Sequence, residues 1–92
     1  MIRSFKNSAT ERFAEGGKSR FSGMDEQKAR LRLDQLNAAV TPRSMGVLKS
    51  VGLHMLKGDR AGLWAVTING PWRLVFRFAD GDAYEVEIVD YH

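Results

Sequence analysis

The chain has 92 residues, of which 43% are hydrophobic and 27% charged, and this balance is typical of one small globular domain rather than a disordered chain. It contains no cysteine, which excludes disulfides, zinc–thiolate sites and thiol catalysis. No apolar run approaches the ~20 residues of a membrane-spanning helix, and residues 1–6 lack the apolar stretch of a secretory signal peptide. These features predict a cytoplasmic protein with a single domain over residues 1–92 and no membrane partner.

The net charge of +3 is unevenly distributed along the chain. Residues 1–60 contain twelve Lys and Arg against six Asp and Glu, whereas residues 61–92 contain two against five. A basic first half is typical of proteins that bind a polyanion such as RNA. It equally suits an acidic protein partner or an ordinary solvated surface, so the charge alone leaves the partner open.

The N-terminal region is predicted to contain a short edge strand and a short helix. The strand covers residues 1–5, and Ser8 with Glu11 has the spacing of a capping box that starts the helix. The helix is predicted to stop at the glycine pair that opens a flexible basic loop over residues 16–23.

Asp25 is predicted to cap a second, longer helix that the Thr41-Pro42 pair ends. Apolar residues at helical spacing form one stripe, which consists of Ala29, Leu33, Leu36 and Val40. Charged residues are predicted on the other faces, namely Lys28, Arg30, Arg32 and Asp34. Residues 43–52 are poorly patterned and are predicted to be a loop, with apolar anchors at Met45, Val47 and Leu48.

The last thirty residues predict an antiparallel meander, because apolar and polar residues alternate in three segments. Its turns are predicted at Asn69-Gly70 and Asp80-Gly81. One face is predicted to carry the large apolar side chains Trp64, Val66, Ile68, Trp72, Leu74, Phe76, Phe78, Tyr84, Val86 and Ile88.

The register follows from the requirement that one face stays apolar. Two-residue loops would set Val66 opposite Arg73, whereas three-residue loops set Val66 opposite Leu74, so the second is preferred. The same choice pairs Ile68 with Trp72, Phe78 with Tyr84, Phe76 with Val86, Arg77 with Glu85 and Arg73 with Val89. We expect the helices to cover the apolar face. We expect the opposite face to be open, and it carries Arg73, Arg77, Glu85, Val89 and Tyr91.

The chain ends with Asp90-Tyr91-His92 directly after the last predicted strand, which would carry these side chains to a fixed place. The second histidine, His54, precedes Lys57 by three residues. Histidine titrates near neutral pH and can act as base or acid, and basic side chains bind phosphate. Such groups can cleave RNA without a metal, although they are also compatible with ordinary surface residues.

Seven segments together form a specific pattern: Ile2-Arg3-Ser4-Phe5, Ala29-Arg30-Leu31-Arg32-Leu33, Leu53-His54-Met55-Leu56-Lys57-Gly58, Gly62-Leu63-Trp64-Ala65-Val66, Asn69-Gly70-Pro71-Trp72-Arg73-Leu74-Val75-Phe76-Arg77-Phe78, Asp80-Gly81-Asp82-Ala83-Tyr84 and Asp90-Tyr91-His92. In this order and at this length, the chain resembles HigB-type toxins of the RelE superfamily over essentially all its residues. The resemblance implies an α+β fold in which N-terminal helices pack on one face of a small antiparallel β-sheet.

The resemblance also implies the toxin of a type II toxin–antitoxin system, a metal-independent and ribosome-dependent endoribonuclease that cleaves mRNA and inhibits translation and growth. Its implied partners are a HigA-like helix-turn-helix antitoxin, the ribosome and mRNA, with operator DNA bound through the antitoxin, and no cofactor. Many relatives carry a further arginine on the strand before Asn69-Gly70. Here that stretch is Ala65-Val66-Thr67-Ile68, which predicts a weak toxin.

The motif positions imply roles for three residues of the central part of the chain. Arg73 would clamp the scissile phosphate, and Lys57 would stabilise the phosphate or the transition state. His54 is a candidate base or a substrate-positioning group.

The C-terminal tail supplies the other implied site residues. Asp90 would orient a neighbour or take a proton, Tyr91 would stack on or hydrogen-bond the mRNA, and His92 is the candidate general acid. Which group is acid and which is base stays open. The candidate contacts to ribosomal RNA are Lys18, Arg20, Lys28, Arg30, Arg32, Arg43 and Lys49.

Two other functions are compatible with the residues. A basic protein could bind RNA or the ribosome and inhibit translation or ribosome assembly without cleavage, which would need the basic first half but neither Tyr91 nor His92. A plain protein-interaction partner would need none of these side chains. The substitution His92→Gln separates cleavage from binding.

Overall fold

Two α-helices pack on a four-stranded antiparallel sheet in the computed structural model, which describes residues 1–47 and 51–91. The helices are α1 (Ser8–Ala14) and α2 (Glu26–Ala38). The strands, in their order across the sheet, are β1 (His54–Met55), β2 (Leu63–Asn69), β3 (Trp72–Ala79) and β4 (Asp82–Asp90). Two short 3-10 helices, Pro42–Val47 and Gly58–Arg60, lie on either side of β1 in the chain. The predicted α+β class is confirmed.

The cap of α1 is Asn7, so the prediction of Ser8 is wrong by one residue. The Asn7 backbone is extended, and its Oδ1 accepts a hydrogen bond from the Thr10 N–H at 2.9 Å. This register turns Thr10 and Phe13 into the interior, where the Thr10 hydroxyl accepts the Ile88 N–H at 3.1 Å. The predicted stop is confirmed, since Gly16 has φ +99° directly after the cap.

The Asp25 cap of α2 is confirmed, because its Oδ1 accepts the N–H three residues later at 3.1 Å. Three members of the predicted stripe are buried: Ala29, Leu33 and Leu36. The fourth, Val40, is 73% exposed and lies outside the helix. Ala39 takes an extended conformation, with ψ 137°, and enters the core itself. The helix therefore ends before the predicted Thr41-Pro42 stop.

Arg32, which was predicted on a face of α2 other than the apolar stripe, is buried. Its side chain is 6% exposed, its Nε donates to the Thr67 carbonyl at 2.8 Å, and its Nη1 donates to Gln35 Oε1 at 3.0 Å. A buried guanidinium is costly unless it is hydrogen-bonded. Arg32 thus connects α2 to β2.

The strand predicted over residues 1–5 is present only as two isolated parallel bridges to β4, from Ile2 to Ala83 and from Phe5 to Val86. Between these bridges Glu85 has φ +53°, which interrupts regular pairing. The Glu85 N–H is instead satisfied by the Ser4 Oγ at 2.9 Å.

The β2–β3 hairpin contains a register shift near its turn. Val66 pairs with Leu74 as predicted, but Trp72 pairs with Asn69 rather than with Ile68. The shift between Thr67 and Asn69 leaves a two-residue turn, whose first residue, Gly70, has φ +48°. The predicted turn is in the right place, but the predicted three-residue loop is wrong.

Asn69 itself fastens this hairpin to the start of α2. Its Oδ1 accepts the Asp25 N–H at 2.7 Å, and its Nδ2 donates to the Gly23 carbonyl at 3.1 Å. The residue that was expected only to form a turn therefore makes a tertiary contact.

The β3–β4 hairpin is also displaced by one residue near its turn. Phe78 pairs with Ala83 and Arg77 with Tyr84, so the predicted partners Tyr84 and Glu85 are wrong. The cause is a two-residue turn in which Asp80 and Gly81 both have positive φ.

The bulge at Glu85 cancels this displacement farther along β4. Phe76 consequently lies opposite both Glu85 and Val86, and Val86 is fully buried with it. Arg73 then pairs with Val89 as predicted. The Arg73 end of the face therefore keeps the predicted register, although the turn end does not.

The core lies between the helices and one face of the sheet. Its largest fully buried side chains include Phe13, Leu36, Leu74 and Phe76. On the opposite face Ala65 and Val75 are also buried, at 0% and 4% exposure. The expectation of an open face is therefore only partly right, because the segment between β1 and β2 lies over part of it.

Candidate functional site

Three of the predicted site residues share the sheet face opposite the helices. His54 pairs with Ala65, which pairs with Val75, and Arg73 is two residues from Val75 on the same strand. Arg73 pairs with Val89, and Tyr91 follows two residues later. Side chains two residues apart in a strand point to the same face. From strand spacing, the Cα atoms are about 12 Å apart for His54 and Arg73 and about 8 Å apart for Arg73 and Tyr91.

His54 is exposed on β1, and a hydrogen bond favours one tautomer of its neutral ring. Its Nδ1 lies 3.0 Å from the Gly52 carbonyl oxygen. A carbonyl can only accept, so Nδ1 carries the hydrogen and, in the neutral ring, Nε2 keeps its lone pair. This tautomer makes Nε2 available to accept a proton from a substrate.

Gly52 has a conformation and a position that suit only glycine. Its φ is +61°, and a Cβ at this position would lie 2.6 Å from the Thr67 Oγ1. Most L side chains avoid this backbone region. The close approach to β2 holds the Gly52 carbonyl beneath His54.

Arg73 is half-buried and is anchored to the β2–β3 turn. Its Nη1 donates to the Gly70 carbonyl at 2.6 Å and to the Trp72 carbonyl at 3.0 Å. Both bonds leave from one nitrogen, so Nε and Nη2 are not occupied by them. A guanidinium that is anchored through one nitrogen can bind two phosphate oxygens with the N–H groups of its other nitrogens.

The C-terminal tail is held to the sheet as far as Tyr91. Asp90 is exposed and pairs with Trp72, and the Tyr91 N–H donates to the Pro71 carbonyl at 2.7 Å. The predicted fixing of the tail is therefore confirmed for Asp90 and Tyr91. His92, the candidate acid, lies outside the described residues.

Sequence reasoning missed Arg60. Its Nη1 donates to the Tyr91 hydroxyl at 3.0 Å, and its Cζ lies 5.4 Å from the centre of the Tyr91 ring. Residues 57–62 have no helical or strand periodicity, so no pattern placed this side chain over the sheet. The one available clue was its position three residues after Lys57, which is exposed and directly precedes the Gly58–Arg60 helix.

The far end of the same face has the opposite electrostatic character. Arg77 pairs with Glu85 at 3.1 Å beside a cavity of about 240 Å³. The lining residues are Lys6, Asp59, Leu63, Val75, Arg77, Glu85 and Glu87. Three carboxylates outnumber the two cations here, and both cations are paired with them, so a phosphate is expected at the Arg73 end.

The predicted ribosomal RNA contacts divide into two groups. Four are exposed, namely Lys18, Arg20, Lys28 and Arg43. Lys18 and Arg20 line a second cavity, of about 380 Å³, beside α1. The other group is engaged within the protein, because Arg32 is buried and Arg30 donates to the Phe13 carbonyl at 2.8 Å and lies over the Phe13 ring. Lys49 lies outside the described residues.

Among residues 1–47 and 51–91, no group of three or more His, Cys, Asp or Glu side chains is placed to hold a metal ion. Within the same ranges, no helix combines the length and the apolar character that a membrane crossing requires.

Comparison with known proteins agrees with this architecture. A family model described as RelE-like toxin of type II toxin-antitoxin system HigB matches residues 3–92. The curated protein Endoribonuclease HigB of Proteus vulgaris is 39% identical over 94 residues, and the match covers 100% of both chains. A crystal structure of a YafQ mutant from E. coli superposes with a TM-score of 0.67 over 98% of this chain and 91% of that chain. At 14% identity, the last match supports the fold alone.

Two helices packed on a four-stranded antiparallel sheet form a RelE-like fold. The family match then specifies the kind of toxin: the chain belongs to the HigB-like family of RelE-like toxins of type II toxin–antitoxin systems. As a toxin of this type, it has an antitoxin as its partner. The predicted family is confirmed.

Proposed function

We propose that this protein is an endoribonuclease that cleaves mRNA on the ribosome and thereby inhibits translation and growth. The observation that supports it most is the alignment of His54, Arg73 and Tyr91 on one sheet face, with Arg73 anchored between the other two. The relative named Endoribonuclease HigB supports the same activity.

The proposed reaction begins with removal of the proton from the 2′-hydroxyl. His54 Nε2 is the base, because Nδ1 is committed to the Gly52 carbonyl. The 2′-oxygen then forms a bond to the adjacent phosphorus, and the bond from phosphorus to the 5′-oxygen breaks. The products are a 2′,3′-cyclic phosphate and a 5′-hydroxyl.

Arg73 is proposed to bind the scissile phosphate through Nε and Nη2, while its Nη1 stays on the turn carbonyls. Lys57, which is exposed and follows β1 by two residues, is proposed to add a second charge. Negative charge grows on the phosphate oxygens in the transition state, and fixed cations stabilise it there more than in the ground state.

The tail is proposed to bind the base and to complete the proton transfer. Tyr91 offers a ring on which an unpaired base can stack. Asp90 orients a neighbouring group, and His92, the next residue after Tyr91 in the sequence, protonates the departing 5′-oxygen.

The wide spacing of these groups supports the proposed dependence on the ribosome. His54 and Arg73 are separated by about 12 Å between Cα atoms, so a free and flexible RNA would rarely fit both. A ribosome that holds the mRNA extended would supply this orientation. The exposed cations proposed to contact ribosomal RNA are Lys18, Arg20, Lys28 and Arg43, together with Lys49.

The proposed antitoxin is a HigA-like helix-turn-helix protein that connects the pair to operator DNA. The toxin itself then acts in the cytoplasm, where mRNA is translated. Pull-down with the product of the adjacent gene tests this assignment.

Primer extension on a defined mRNA, with and without purified translating ribosomes, tests the cleavage. The wild-type protein is expected to cut only with ribosomes, and His92→Gln with Tyr91→Ala is expected to lose the cuts while still sedimenting with ribosomes. Growth inhibition without any cut would contradict cleavage and favour the alternative of a basic ribosome-binding inhibitor, which the exposed cations beside α1 would serve.

A further inference from the structure

We propose that Arg60 is a further RNA-binding residue of this site, which holds the Tyr91 phenol in place and binds a backbone phosphate with its remaining N–H groups. This inference rests on the proposed ribonuclease function and adds a residue to it. Arg60 lies between β1 and β2 in the chain, and its guanidinium reaches Tyr91 on the sheet face.

The contact with Tyr91 fixes the direction of the phenol. The Arg60 Nη1 donates to the phenol oxygen at 3.0 Å, and the guanidinium lies 5.4 Å from the ring centre. A guanidinium has no acceptor, so the phenol is the acceptor in this bond and its own O–H stays available for a further partner. Tyr91 can therefore hydrogen-bond RNA while Arg60 holds it.

The guanidinium keeps most of its donors after this contact. It has five N–H groups and uses one on the phenol. The side chain is exposed and presents a planar fork that matches two phosphate oxygens. A guanidinium that served only to orient the ring would not need an exposed position.

The surroundings of Arg60 also favour an anion. The Tyr91 backbone N–H donates to the Pro71 carbonyl and the Arg73 guanidinium donates to the Gly70 carbonyl, so both residues are tied to the same two-residue turn. Arg60 brings a second guanidinium to Tyr91, while its sequence neighbour Asp59 lines the cavity beside Arg77 together with Glu85 and Glu87. Two fixed guanidinium groups beside an aromatic ring fit a phosphate with its attached base.

The test measures ribosome-dependent mRNA cleavage by the full-length protein and its variants. Arg60→Ala is expected to lower kcat/KM about 10- to 100-fold, the loss typical of a charge-assisted hydrogen bond, and Arg60→Lys is expected to recover part of it. The matched control is Arg3→Ala, which removes the same charge at Asp82, roughly 26 Å along β4 from Tyr91. Its activity is expected to stay within about twofold of wild type.

A second comparison separates phosphate binding from a purely structural role. In a Tyr91→Leu background both the hydrogen bond and the ring contact are already absent, so an Arg60 that served only to orient the phenol would have no further effect. We expect Arg60→Ala to lower cleavage again in this background, with an unchanged thermal unfolding midpoint. The inference would be overturned if the Tyr91 variant were as active with Arg60→Ala as without it. Equal activity of Arg60→Ala and Arg3→Ala would overturn it as well. Absence of cleavage by the wild-type protein would instead contradict the proposed ribonuclease function.

Discussion

The Tyr91 N–H donates to the Pro71 carbonyl at 2.7 Å, so pairing between the end of the chain and β3 continues one residue beyond β4. The Pro71 nitrogen has no hydrogen to donate, which leaves its carbonyl as the group that holds the tail. Arg73 is bonded to the carbonyl of the preceding turn residue, Gly70. The Tyr91 backbone and the Arg73 guanidinium are therefore held by neighbouring carbonyls of one turn.

Replacement of Arg73 is expected to affect cleavage far more than folding. Arg73→Lys keeps the charge but loses the planar fork, and we expect a fall in the single-turnover cleavage rate of about 10²- to 10³-fold. The loss of the two turn contacts should cost about 1 kcal/mol of unfolding free energy. Arg77→Lys is the matched control, because it lies on the same strand and face but is paired with Glu85. Equal activity of the two variants would contradict a phosphate contact for Arg73.

Gly52→Ala is expected to destabilise the protein by about 2–4 kcal/mol in urea unfolding, since it combines backbone strain with a clash against Thr67. Gly62→Ala measures the backbone strain without the clash. Gly62 also has a positive φ, +92°, but nothing lies within 4 Å of the position of an added Cβ. We expect Gly62→Ala to cost about 1–2 kcal/mol. If both variants lower the free energy of unfolding by the same amount, the close approach of Gly52 to β2 does not contribute to the loss.

Arg32→Ala is expected to lower the unfolding free energy by about 2–4 kcal/mol, because it removes two hydrogen bonds from a buried site and leaves the Thr67 carbonyl without this donor. Lys28→Ala on the same helix is exposed and should change stability by less than about 0.5 kcal/mol. Chemical denaturation monitored by tryptophan fluorescence measures both. A variant that weakens ribosome binding without losing stability would restore Arg32 as an RNA contact.

The Asp82 carboxylate connects stability to pH. The N-terminal ammonium, which hydrogen-bonds it, and then Arg3 lower the pKa of Asp82 below its ordinary value of 3.8, against a smaller opposing effect of burial. Its folded pKa is depressed, so its stabilising contribution is present above pH 3.8 and disappears as pH falls through the folded pKa.

Asp82→Asn should therefore be less stable than wild type at pH 7, with a difference that shrinks below about pH 4. Thermal unfolding between pH 2 and pH 7 measures this convergence. Asp80→Asn, in the exposed turn next to β4, serves as the control, and its difference from wild type should not change in the same way. If the difference in unfolding midpoint between Asp82→Asn and wild type stayed constant over this pH range, the ion pair would be contradicted.

Local patterns predicted the parts of this fold that depend on local chemistry. Asp25 is a cap because its carboxylate reaches an N–H three residues away, and the alternation around Leu74 fixes which face is buried. The position of Arg73 opposite Val89 followed from the same alternation. The family resemblance supplied the function, which these patterns alone left open between cleavage and binding.

The features that were missed depend on compensation between distant residues. The Asp80-Gly81 turn displaces the pairing of β3 and β4 by one residue, and the bulge at Glu85 restores the register. The alternation of apolar and polar residues therefore indicates neither the displacement nor the bulge. Arg60 reaches Tyr91 from a segment without periodicity, across 31 residues of sequence. No local rule specifies such a contact.

The Asn69 amide, which bonds both Asp25 and Gly23, has a consequence for how the molecule unfolds. The Asp25 N–H, at the cap of α2, bonds to Asn69, which lies 44 residues farther along the chain. This bond forms only when the β2–β3 hairpin is already in place. Helix and hairpin should accordingly open as one cooperative unit, and amide hydrogens in α2 and in the middle of β3 should exchange with deuterium at the same rate.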